Sequence, residues 1–301
     1  MIICLWAIIR ALQAQSPATI IAALAATSPV AVFVAAALVA LNFGVLSLME
    51  ACGLQDAGVR LPVRRIGFSG FVANALSVVI GLGPISGTVV RTRLFRAWGL
   101  PSHAAAITAL SVTLTSLSGG AVLAGLGLAI QPEWARDLTG APSAIVRGAA
   151  IGYLCLVAAA ILWASRRRFR IVRPNFTFST PSARGVLLRL MLGAFDWLIS
   201  GHVFYTLMTA TVVLAPASFL TLFASAHFMG MAVGAPAGLG VFDAIMLHIR
   251  PAAVTPARIA AALLLYRLVA NAAPAIIALA FFGTIGADSN TPDSKSAGQI
   301  A

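Results

Sequence analysis

Six charges interrupt segments that are otherwise apolar: Glu50, Arg91, Arg93, Asp196, Asp243 and Arg267. An ionised side chain at the centre of a bilayer costs about 2.5 kcal/mol or more on the insertion scale, so such residues are functional candidates by default. Their types suggest the chemistry. A guanidinium binds phosphate bidentately, which suits Arg91 and Arg267 to a phosphate. The carboxylates of Asp196, Asp243 and Glu50 suit a cationic group, or balance the arginines in its absence. Asp196 and Arg267, opposite in sign and each deep in a span, also predict a structural pair between two helices. Arg93 stands with this set, although it and Arg96 fit interfacial anchors as well. Glu50 lies near the end of its span and fits a plain interfacial acid equally.

No other chemistry competes. His103, His202, His227 and His248 are scattered without ligand spacing, and they read as polar packing residues. Phosphate-loop, nucleophile-elbow and metalloprotease motifs are absent. The sequence therefore predicts no catalytic residue, no metal and no cofactor.

Two interrupted stretches must position the charges. In the first, an apolar run from Phe68 to Ile80 meets Gly81, Gly83, Pro84 and Gly87, then resumes and carries Arg91. In the second, Phe219 to Val233 meets Pro236, Gly238 and Gly240, then Asp243. In each copy the charge follows the proline by seven residues, with its sign reversed. Glycine weakens a helix interior and proline removes a donor. At membrane depth a broken backbone is tolerated only where it is buried in protein or lines a wet cavity. Two matching interruptions in two halves point to a transporter-type site, with these seven glycines and prolines as the hinges.

Composition fixes the setting. The 301 residues are 60% hydrophobic and 9% charged, against about 25% charged in soluble domains. The chain reads as an all-α polytopic membrane protein. The net charge of +12 does not indicate nucleic acid, because the arginines sit in short loops between apolar spans, where they set topology and meet anionic lipid. Cys4, Cys52 and Cys155 lie in or beside apolar spans and read as packing residues.

In chain order, Met1 to Ile9 reads as a shortened first span, as if the true start lay upstream, and Ser16 to Thr27 as a short interfacial helix. Spans follow at Val30–Cys52, His103–Ile130, Ala144–Ala164, Val186–Leu214 and Ile259–Phe282. Gly119-Gly120 and the hydroxyl residues Ser111 to Ser118 fit close helix packing. The transmembrane unit covers 1–282, with halves at about 30–164 and 184–282 joined by a basic linker, 165–183. Residues 283–301 read as a disordered cytoplasmic tail. With the loops Gln55–Arg65 and Arg166–Arg173 placed in the cytoplasm, and both broken hairpins re-entrant, the two halves come out with inverted topology. That is a secondary-transporter architecture.

These residues resemble the membrane domain of bacterial lysylphosphatidylglycerol synthase/flippase proteins and the stand-alone flippase-like proteins related to it. The matching pieces are Gly81-Leu82-Gly83, Ser86-Gly87, Arg91-Thr92-Arg93-Leu94, Pro236 through Asp243, and Tyr266-Arg267, with Met49-Glu50 and Asp196-Trp197 placed as in that family. The resemblance covers about Val30 to Phe282. Departures are Thr92 where the family has tyrosine, Ala237 and Asp243 where it has glycine and glutamate, and Val78-Val79 in place of polar residues. The family's soluble aminoacyl-transferase domain is not in this sequence. The resemblance implies translocation of a phospholipid between leaflets, aminoacylated phosphatidylglycerol in the best-known branch. It also implies a bacterial cytoplasmic membrane and a possible separate lipid synthase as partner. The rival readings are a non-transporting membrane partner of such a synthase and a membrane lipid-transferase.

Overall fold

A computed structural model describes residues 17–81, 83–133, 136, 140–166, 170–173, 176–179, 182–208, 216–232, 241–248 and 254–288. The N-terminal run with Cys4, Leu82, the second hinge (Pro236, Gly238, Gly240) and the tail 289–301 lie outside the described residues, as do Arg167 and Arg168 of the linker.

The chain is a polytopic membrane protein whose described residues are almost entirely helical. Among the described residues, six helices are long and apolar enough to cross a bilayer. Helix α1 (Pro17–Ala25) is short; α2 (Pro29–Asp56) and α5 (Ser102–Ile130) have 28 and 29 residues. At 1.5 Å per residue each exceeds the roughly 30 Å hydrocarbon core. Between them stand α3 (Val63–Ile80) and α4 (Gly83–Ala97), the two arms of the first hairpin. Then come α6 (Ser143–Arg166), α7 (Ala183–Met208), α8 (Pro216–Ala232) and α9 (Val241–His248), the last two being the second hairpin's arms. The final span is α10 (Pro256–Tyr266), a π-helical segment (Arg267–Ala272) and α11 (Ala273–Asp288).

Two sequence boundaries move. The linker holds a small antiparallel hairpin, β1 (Arg170–Arg173) with β2 (Phe176–Ser179). The last helix runs six residues into the predicted tail, to Asp288, because Gly283 to Ala287 is still apolar enough to extend it.

The first break is where the sequence puts it. Gly81 closes α3 at φ 83°, ψ 178°, a region open in practice to glycine alone. Pro84 then sits in the first turn of α4, where its missing N–H has no partner to lose. Across the bend, Ser86 Oγ donates to the Ser77 carbonyl at 3.4 Å.

Packing follows the inside-out logic of a membrane protein. Large apolar side chains face outward, among them Phe33, Ile80, Leu156 and Ile276, while Glu50, Ser69, Arg91, Thr108, Asp196 and Asp243 are buried. Cys52 is buried as expected; Cys155 is exposed on α6, so it does not take the buried packing place expected of it. Helix α2 packs on α7, and α5 lies against both. One apolar core joins α7 through α10, with Phe204, Phe223 and Phe242 at its centre. A second joins α3, α4 and the start of α5 through Val72, Leu94 and Phe95. Each hairpin thus has its own core.

Helices α5 and α7 approach each other closely. A Cβ on Gly119 would stand 2.2 Å from the Ala194 nitrogen, and one on Gly193 would stand 2.1 Å from the Thr115 carbonyl oxygen. The predicted role of Gly119 and Gly120 in close packing is therefore borne out, with Gly120 seated against the Trp197 ring.

Candidate functional site

A cavity of about 640 Å³ lies between the two cores. Its wall draws on α2, α3, α4, α5 and α7, on Phe242 of the second hairpin, and on the π segment. The polar lining includes Asn42, Asn74, Ser116, Ser200, Asn271 and the charged Arg91, Asp196 and Arg267.

Arg91 is held from behind. Its Nε donates to both Glu50 oxygens at 3.0 Å and its Nη2 to Oε2 at 2.6 Å; Ser69 Oγ adds a short hydrogen bond to Oε1. Both members of the pair are buried, Glu50 completely. Glu50 is therefore no interfacial acid: its span continues to Asp56 and folds the carboxylate against α3 and α4. Gly87 makes room for the pair, since a Cβ there would approach Arg91 Nη1 to 2.8 Å.

Arg267 opens the π segment. Its Nη2 donates to Asp243 Oδ1 and Oδ2 at 2.7 and 2.6 Å. Its Nε and Nη1 make no hydrogen bond with any described residue, and the side chain is 23% exposed. A π turn admits one extra residue and often marks a functional site; here Tyr266, Arg267, Ala270 and Asn271 all reach the cavity wall.

These pairs overturn the predicted Asp196–Arg267 bridge. The first hairpin's arginine is answered by an acid from α2, and the second hairpin's aspartate by an arginine from the last span. Arg267 lies against α9 of its own half, where Asp243 reaches it first. Asp196 instead accepts from Asn42 Nδ2 at 2.9 Å and from Ser116 Oγ at 2.7 Å. Ser116 in turn accepts from Trp197 Nε1, which also donates to the Ser116 carbonyl.

Arg93 stands apart from the cavity. It is exposed, with its guanidinium 4.8 Å from the Phe282 ring centre. Two residues along a helix turn the side chain by roughly 200°, so Arg91 and Arg93 cannot share a face.

Of the predicted set, the cavity brings together Arg91, Asp196 and Arg267, with Gly81 and Pro84 at its wall; Glu50 and Asp243 lie behind it as counter-ions. Asn42, Ser200 and Asn271 were given no role from sequence, and Ser116 only one in helix packing. All are neutral polar residues inside apolar spans, and that alone was the available signal. His227 touches the cavity but packs its ring 4.0 Å from Phe242 and turns Nδ1 to the Phe223 carbonyl, as a packing histidine would. Among the described residues no cluster of three metal-ligating side chains occurs.

A further link closes one end of the bundle. Arg189 of α7 donates to Asp56 Oδ1 at 2.6 Å and to the Cys52 carbonyl, while Ser111 of α5 donates to Asp56 Oδ2. It ties α2, α5 and α7 together beyond the cavity.

The family model described as the lysylphosphatidylglycerol synthase transmembrane region matches residues 1–278. The chain is also similar to an uncharacterized Synechocystis protein, slr0712: 25% identity over 241 residues, 77% of this chain and 72% of that one. With the Escherichia coli inner membrane protein YbhN it shares 27% identity over 256 residues, 81% of this chain and 77% of that protein.

Proposed function

The chain belongs to the lysylphosphatidylglycerol synthase transmembrane-region family, and on that premise we propose that it moves a phospholipid between the leaflets of a bacterial inner membrane. One observation carries the reading: a cavity with a polar interior and an apolar edge, set between two cores at a broken helix. Val78 and Ile85 line it and remain 40% and 64% exposed, with Val79 and Ile80 exposed beside them. A head group can enter the polar space while its acyl chains stay in lipid across that edge. This avoids stranding unsatisfied polar groups in hydrocarbon.

Arg267 is the phosphate ligand in this reading. Its Nε and Nη1 make no hydrogen bond with any described residue and its side chain is 23% exposed, whereas Arg91 is 2% exposed and gives both Nε and Nη2 to Glu50. The head group would be that of a phospholipid carrying an amine, aminoacylated phosphatidylglycerol among them, because Asp196 shares the same space. The halves at about 30–164 and 184–282 would be inverted copies. Their mirrored charge pairs support this: base on the hairpin and acid on the span in the first half, the reverse in the second.

The deciding assay is reconstitution into liposomes with head-group-labelled phospholipids, read as sidedness over time. Wild type should equilibrate at least one lipid of the panel faster than protein-free vesicles. Arg267→Lys keeps the charge and the tie to Asp243 but loses the fork, so the rate should fall about tenfold with the melting temperature unchanged. No acceleration for any lipid would end the proposal. The topology has its own check: single cysteines in a cysteine-free background should label at position 137 from outside, and a C-terminal tag should be cytoplasmic. Position 137 labelling only from inside would sink the inverted arrangement.

A further inference from the structure

The charges that line the cavity do not balance. Arg91 and Arg267 are each matched by one carboxylate. Asp196 is 8% exposed and has no arginine or lysine nitrogen within 4.0 Å among the described residues. Its hydrogen bonds show the carboxylate as an acceptor at both oxygens. Asn42 Nδ2 donates to Oδ1 at 2.9 Å, and Ser116 Oγ, which also accepts from Trp197 Nε1, donates to Oδ2 at 2.7 Å. An ionised carboxylate at this depth without a counter-charge is the costly arrangement. A second feature sits beside it. Asn42 Oδ1 is buried without a hydrogen-bond partner, and turning the amide over would set that oxygen against the carboxylate. Ser200 Oγ, 3.4 Å from Asn42 Nδ2, adds another oxygen to the same wall.

We infer that Asp196 is the centre of a binding site for one singly charged cation, with the hydroxyls of Ser116 and Ser200 supplying neutral oxygens. The ligand set is a carboxylate and two hydroxyls, all hard oxygen donors, which suits a sodium ion or a primary ammonium and not a soft transition metal. Two sources provide that chemistry: a free sodium ion, or the amine of a lipid head group. The second deepens the translocation reading of the cavity and rests on it; binding itself does not.

The test uses the purified full chain in detergent, in N-methyl-D-glucamine buffer at constant ionic strength, titrated with sodium chloride or with ethanolamine hydrochloride. Wild type should show a saturable rise of several degrees in melting temperature with one of the two. Saturation by sodium identifies a free ion, and saturation by ethanolamine alone identifies the head-group amine. Asp196→Asn should lose the response and, without cation, melt above wild type, because the unbalanced charge is gone. Should that variant fail to fold, Ser200→Ala keeps the carboxylate with both of its hydrogen bonds and should raise the half-saturating concentration several-fold. A wild type that responds to neither probe, as a protonated carboxyl would, overturns the inference. So does an equal response in Asp196→Asn. Cation binding in a protein that moves no lipid would remove the transport reading and leave the site standing.

Discussion

Glu50→Gln should destabilise the protein by about 3–5 kcal/mol, since it leaves the Arg91 guanidinium buried without a counter-charge. Arg91→Gln should cost a similar amount, because Glu50 is then left completely buried with only the Ser69 hydroxyl. The double variant should recover most of the loss: a neutral amide pair can satisfy itself, and neither member carries a charge. Thermal unfolding in detergent, followed by tryptophan fluorescence and run as a double-mutant cycle, reads the coupling directly. Losses that simply add would mean that Glu50 and Arg91 do not interact. Ser69→Ala should be milder, of order 1–2 kcal/mol, because it removes one of several hydrogen bonds to the carboxylate.

The second large effect belongs to the glycines between α5 and α7. Gly119→Ala sets a methyl group 2.2 Å from the backbone of Gly193 and Ala194, and Gly193→Ala sets one 2.1 Å from the Thr115 oxygen. Neither methyl has a rotamer, and neither obstacle is a flexible side chain. The two helices must separate, at the upper end of the roughly 1–3 kcal/mol usual for overpacking or beyond it. Separation also pulls Ser116 from Asp196 and Trp197, so the cavity wall opens with the helix contact. Size-exclusion profiles should show little monodisperse protein for either variant. Gly148→Ala and Gly152→Ala on α6 have nothing within 4 Å of the new methyl. They should be neutral or slightly stabilising, by up to about 1 kcal/mol. A Gly119→Ala protein as stable as those controls would refute the close approach.

Much of the frame was legible in the sequence because apolar length and backbone breakers act locally. Gly81 and Pro84 interrupt a helix wherever they stand, and a run such as Pro29 to Asp56 has few alternatives to a membrane span. The charges were legible as a set for the same reason. Their partners were not. Glu50 and Arg91 are 41 residues apart, Asp243 and Arg267 24, and nothing in composition ranks those pairings above Asp196 with Arg267. Only the folded path of each hairpin decides them. Arg93 shows the opposite failure, in which a local rule existed: the two-residue offset from Arg91 already excludes a shared helix face. Ser116 was read as a packing hydroxyl and Asn42 was given no role; that they meet at Asp196 depends on three helices converging. The second hinge and the tail lie outside the described residues, so Pro236, Gly238 and Gly240 keep their standing as expectations.

The mirrored pairs also bear on how such a chain reaches the membrane. Segments leave the ribosome in order, and a charge that enters lipid alone meets the insertion penalty in full. Glu50 and Arg91 are both present before α5 is made, and Asp243 needs only α10 and the next residue to meet Arg267. Each buried acid–base pair is therefore complete within its own half of the nascent chain. Neither must wait, unpaired in the bilayer, for the other half to be synthesised. Asp196 is the exception: it emerges after Asn42 and Ser116 are already in place, and no later segment among the described residues brings it a positive charge.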